Sequence, residues 1–93
     1  MPKVTLHLLN IFALRTGQNT VEYEGNTIQD VIAQFVKDYK NKLDESLLNE
    51  SGTELDPQIL ILLDGRDVKY KNNYDTQLKT GDKIYLSYPI SGG

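Results

Sequence analysis

Two glycines, Gly92 and Gly93, follow directly on a strand-like segment and carry the chemistry most open to this sequence. Glycine lacks a Cβ, so it passes through a narrow channel and adopts backbone angles closed to other residues. A free carboxylate is a poor electrophile, and activation by ATP as an acyl-adenylate makes it reactive. A side chain beside the carboxylate would block that approach. A slender, extended, flexible end meets both needs, and residues 89–93 are expected to form such a tail, behind a single domain spanning residues 1–88.

Other chemistries find little support. The sequence contains no cysteine, which excludes a disulfide framework, a thiolate zinc site and a cysteine nucleophile within these 93 residues. His7 is the single histidine. It lies in a strand-like segment among apolar neighbours and reads as a structural or surface residue, not as a catalytic base. Asp44, Glu45, Glu50, Glu54 and Asp56 lack the ligand spacing of a calcium loop and read as a solvated loop. Asp64-Gly65-Arg66-Asp67 reads first as a turn. Lys69 and Lys71 have no interleaved aromatic platforms, and the net charge of -3 does not favour a phosphate backbone, so no nucleic-acid partner is expected. No apolar run reaches membrane-spanning length and the start shows no signal-peptide pattern, so the expected location is cytoplasmic, with no membrane partner.

The elements that must position Gly93 can be read from pattern. The chain has an ordinary globular balance, 39% hydrophobic and 25% charged, and a length that fits one domain. Residues 3–12 read as a strand with Val4, Leu6, Leu8 and Phe12 on one face. Leu9 and Ile11 break the alternation, which predicts a strand covered on both faces near its end or central in the sheet. Thr16-Gly17-Gln18-Asn19 signals a turn into a second strand, Thr20 to Glu24, and the two are expected to form a hairpin joined by a short loop. Thr27 and Asp30 form a capping-box pattern before a helix whose stripe is Ile28, Val31, Ile32, Phe35, Val36 and Tyr39. Asn49-Glu50-Ser51-Gly52 predicts a tight turn between Leu47-Leu48 and Leu55. Gln58 to Leu63 is a strand, Asp64-Gly65 a hairpin turn, and Val68 with Tyr70 begins a short return strand. Leu78 is a buried plug. Lys83 to Tyr88 is the last strand, ended by Pro89.

This order of elements predicts an α+β fold, a mixed sheet with one main helix packed across one face. Alternation in the strands makes a further prediction. With Ile59, Ile61 and Leu63 facing the helix, Leu60 and Leu62 face away, and the same phase turns Tyr85 outward while burying Ile84 and Leu86. Leu60, Leu62 and Tyr85 are then expected to form an exposed apolar patch near the tail, of the kind that marks a protein interface. The alternative is that residues 40–57 cover them.

Over nearly its full length the sequence resembles the MoaD family, relatives of ThiS and of the ubiquitin-like modifiers. Phe12-Ala13-Leu14-Arg15-Thr16-Gly17 is similar to the family's Phe-Ala…Arg…Gly segment, and Thr27-Ile28-Gln29-Asp30-Val31 to its Thr-Val-x-Asp-Leu helix start. Ile59 to Val68 resembles its Val-Asn-Gly-Arg segment. Asp75-Thr76-Gln77-Leu78-Lys79-Thr80-Gly81-Asp82-Lys83-Ile84 matches Asp-Thr-x-Leu-x-x-Gly-Asp-x-Val, and Gly92-Gly93 completes the set. The resemblance implies a β-grasp (ubiquitin-like) fold and a carrier with no bound cofactor. In that reading a MoeB/ThiF-like activating enzyme consumes ATP to adenylate Gly93, and sulfur then converts the end to a thiocarboxylate. A MoaE-like large subunit receives the tail in its active site, with Tyr88, Pro89, Ile90 and Ser91 binding the partner and Gly92 beside the reacting Gly93, and the sulfur goes to the molybdopterin precursor of the molybdenum cofactor. Relatives donate sulfur to thiamin or tRNA, or form an isopeptide bond to a target-protein lysine. The sequence departs from the family where Ser87-Tyr88-Pro89 replaces an aromatic-Pro-Pro ending, and where Asp64 stands in place of the common Asn. Both departures bear on which partner is met.

Overall fold

The computed structural model describes residues 1–89; Ile90, Ser91, Gly92 and Gly93, on which the tail expectation falls, lie outside the described residues. β1 (Lys3–Leu8) buries Val4, Leu6 and Leu8 and turns its alternate residues outward. It does not run on to residue 12 as the pattern predicts. At Asn10 the backbone swings to φ 39° and ψ -116°, and Ile11–Thr16 form a short helix, α1. Phe12 and Thr16, four positions apart, share its buried side. Leu9 is left 40% exposed rather than covered. A short apolar run fits a strand and a helix equally well by periodicity, and here the turn at Asn10 decides. Gly17, at φ 73°, closes α1 with its N–H on Ala13 O at 2.9 Å. β2 (Thr20–Glu24) then pairs antiparallel with β1, so the two strands are joined through a helix and not through the short loop expected.

α2 (Ile28–Tyr39) begins as its sequence dictates. Thr27 Oγ1 accepts from Asp30 N–H at 3.2 Å, and Asp30 Oδ2 accepts from Thr27 N–H at 3.2 Å, which satisfies two otherwise unpaired donors reciprocally. Gly25 fits beneath this cap because a Cβ there would lie 2.7 Å from the Asp30 Cβ. The helix buries Ile28, Val31, Ile32, Phe35 and Val36 against the sheet. The chain then returns through residues 40–59, which send Leu43, Leu47 and Leu55 into the same core. The predicted turn is present: Leu48 bridges Leu55, and Gly52, at φ 71°, donates to Asn49 O.

β3 (Leu60–Leu63) starts two residues later than predicted. The Asp64-Gly65 turn, with φ of 56° and 76°, leads into β4 (Arg66–Asp67). β4 ends where the return strand was expected to begin. Asp67 Oδ1 accepts from Lys69 N–H at 2.9 Å and rolls Val68–Tyr70 into a 3₁₀ turn, which buries Val68 and leaves Tyr70 exposed. Leu78 is buried, as expected. β5 (Lys83–Ser87) ends one residue short of the predicted Tyr88. The sheet order is β2-β1-β5-β3-β4, with β1 and β5 parallel and the other pairs antiparallel. One main helix packs across one face of this mixed sheet, the β-grasp arrangement.

Candidate functional site

β5 is the middle strand, so the position at which it leaves the sheet is set by neighbours on both sides. On one side Leu60 lies opposite Ser87; on the other Leu8 lies beside Leu86. Ile84 and Leu86 are fully buried, which locks the phase of the strand. Beyond it, Tyr88 packs against the core and Pro89 is half-buried. Asn10 reaches this segment from the head of α1. Its Nδ2 donates to Ser87 Oγ at 3.2 Å and Tyr88 O at 3.4 Å, while its Oδ1 accepts from Tyr88 N–H at 3.3 Å. The same Oδ1 accepts from Ile11 N–H at 2.9 Å. Arg15 of α1 in turn pairs with Asp44 at 3.1 Å, linking the short helix to the return segment.

The face of the sheet opposite α2 carries Leu60, Leu62 and Tyr85, as the alternation predicts. Leu62 lies directly opposite Tyr85, and Leu60 opposite Ser87, so the group adjoins the end of β5. All three are half-buried, so the patch is less exposed than the alternation leads one to expect. The buried leucines of residues 40–57, Leu43, Leu47 and Leu55, belong to the core cluster shared with α2. His7 extends the patch: its ring stacks on Tyr85 with centroids 4.4 Å apart and planes 15° from parallel. Charged residues flank it on the neighbouring strands, including Lys83 on β5, Asp67 on β4 and the Lys3–Glu22 pair at 3.8 Å. Of the partner-binding residues read from the sequence, Leu60, Leu62 and Tyr85 come together on this face. Tyr88 points the other way, into the core edge, and Pro89 follows it. Ile90, Ser91, Gly92 and Gly93 lie outside the described residues.

A cavity of about 250 Å³ lies elsewhere, between β3 and the segment after β4. Its lining includes Leu55, Ile59, Ile61, Val68 and Tyr74. Burial holds the Tyr74 phenol neutral and pushes its pKa up to about 12, against the hydrogen bond from Leu55 N–H that favours the ionised form. The cavity's lining holds acids and Lys69 but not His7, which sits on the outer sheet face. Among the described residues no group of three metal-binding side chains occurs. No described helix is long and apolar enough to cross a membrane.

The residue that sequence reading missed is Asn10. An asparagine between two apolar runs is a cap signal, and it marked the start of α1. Its second task, on Ser87 and Tyr88, joins positions 77 and 78 residues apart and left no local trace.

A mixed five-stranded sheet with one main helix across one face, and a central strand ending beside an apolar outer face, defines a ubiquitin-like β-grasp domain. The sequence pattern of the ThiS family matches residues 8–93, and the chain belongs to this family of ubiquitin-like sulfur carriers. A protein of Archaeoglobus fulgidus whose name proposes a sulfur carrier is 28% identical over 81 residues, 87% of this chain and 90% of that protein. The small archaeal modifier protein 1 of Methanosarcina acetivorans superposes with a TM-score of 0.85 at 23% identity, covering 100% of this chain and 98% of that one. A structure from Pyrococcus furiosus, named for subunit 1 of a molybdopterin converting factor, has a TM-score of 0.72 at 24% identity and covers 97% and 100% of the two chains.

Proposed function

We propose that this protein carries sulfur on Gly93 for molybdopterin synthesis. A MoeB/ThiF-like enzyme docks on the face built from Leu60, Leu62 and Tyr85 and receives the segment that follows Pro89. An oxygen of the Gly93 carboxylate attacks the α-phosphorus of ATP and releases pyrophosphate. Sulfide then attacks the carbonyl carbon and displaces AMP, leaving a thiocarboxylate. A MoaE-like large subunit takes the loaded tail into its own active site, where the sulfur passes to the pterin precursor. The carrier contributes the end and the docking face, and its partners contribute the catalytic groups.

One observation carries the reading: the middle strand of the sheet ends beside the apolar outer face, and the family's sequence pattern runs on from it through Gly92 and Gly93. The test is intact-mass analysis of the protein produced with its activating enzyme, ATP and a sulfide source. The expected product is a single oxygen-to-sulfur exchange at Gly93, together with a complex with a MoaE-like subunit that is lost when Gly93 is removed. Gly93→Ala is expected to abolish the exchange and leave thermal unfolding unchanged. Survival of the exchange in that variant would overturn the reading. Gly93-linked peptides on target-protein lysines, without sulfur transfer to a pterin, would assign the same activated end to protein modification.

A further inference from the structure

β5 leaves the sheet against a side chain instead of a strand. Leu9 N–H donates to Leu86 O at 3.0 Å, which extends the parallel β1–β5 ladder by one bond. The next rung of a parallel ladder runs from Tyr88 N–H to Leu9 O. That carbonyl accepts from Phe12 N–H at 3.0 Å as the chain turns into α1. The Asn10 carboxamide fills the gap. Its Oδ1 takes the Tyr88 N–H, and its Nδ2 returns a bond to Tyr88 O and another to Ser87 Oγ. A side-chain amide has the donor and acceptor of a peptide group, so it stands in for one residue of β1. Asn10 holds this place at φ 39° and ψ -116°, a backbone conformation that glycine adopts freely and other residues only with strain.

We propose that Asn10 is a positioning residue for activation: it clamps Ser87 and Tyr88 so that residues 90–93 depart from one fixed point beside the docking face. This rests on the carrier reading. Without the clamp, Tyr88 and Pro89 must be ordered each time Gly93 enters a partner, and ordering even one residue lowers the rate about tenfold.

Asn10→Gly is the variant of choice, because glycine suits the backbone and costs a helix cap little. It is expected to unfold within a few degrees of the parent. Amide exchange at Tyr88 is expected to quicken at least about tenfold. In ATP–pyrophosphate exchange with the activating enzyme of the same organism, kcat is expected to fall about tenfold, while KM for the carrier stays within about twofold. Asn10→Asp keeps the acceptor for Ile11 and Tyr88 and loses the donor, so it restores the rate only in part. A wild-type kcat in Asn10→Gly, or full recovery in Asn10→Asp, overturns the clamp and leaves the carrier reading standing. Absence of exchange with the unaltered protein overturns both.

Discussion

Two phenols show how single residues tie the fold to solution conditions. Tyr74 is kept neutral by burial, its pKa pushed up to about 12, and it accepts the Leu55 N–H. Tyr23 is likewise held above its ordinary value, by burial and then by donating its hydroxyl to Asp38 at 2.8 Å. In the unfolded chain both ionise near pH 10, so above that pH the folded state binds more protons than the unfolded one. The stability they contribute is complete below about pH 10 and falls as the pH rises toward 12. Urea unfolding across this range should show that decline, and Tyr74→Phe should make it shallower. Residues whose partners are close in sequence were legible without the structure. Thr27 and Asp30 cap α2 three positions apart, and the pattern named both. Asn10 was not legible in its second role, because its partners lie at the far end of the chain and only folding brings them together. The stack of His7 on Tyr85 was hidden for the same reason: it follows from the parallel register of two strands that chain order leaves undetermined.

Among the elements, strands with one buried face were readable because period-2 alternation leaves one answer. Ile59, Ile61, Leu63, Ile84 and Leu86 are buried, while Leu60, Leu62 and Tyr85 turn outward. α1 was not readable, since six residues give too few turns to separate a helical from an extended pattern. Its start depends on one asparagine and its end on one glycine. β4 was shifted because a local hydrogen bond from Lys69 N–H to the Asp67 carboxylate outweighs strand propensity in Val68 and Tyr70. The outer face offers a prediction at this level. Tyr85 contributes area to that face and little to the main core, so Tyr85→Ala should leave the fold intact. It should weaken docking of the activating enzyme by about 1–2 kcal/mol, a five- to thirtyfold rise in KM with kcat unchanged. Steady-state kinetics of pyrophosphate exchange measure this, and an unchanged KM would remove the sheet face from the docking surface. The contrast with Asn10→Gly, where kcat should move instead, separates docking from delivery.

At the scale of the molecule, the core is built from residues between Val4 and Leu86, with Tyr88 at its edge. A chain cut after Pro89 keeps all of these core residues and should therefore melt within about 2 °C of the parent. It should be inert toward the activating enzyme while still competing with the full chain for it. Inhibition by this truncated form, titrated in the exchange assay, tests whether the domain alone is recognised; no inhibition would mean that the tail supplies the affinity. Removing β5 as well has a different consequence. β5 pairs with β1 on one side and β3 on the other, so without it the sheet separates into a β1–β2 half and a β3–β4 half. Synthesis reaches this strand after all the others. A chain interrupted before Lys83 therefore has no continuous sheet, and the outer face loses Tyr85 along with the strand that joins its two halves.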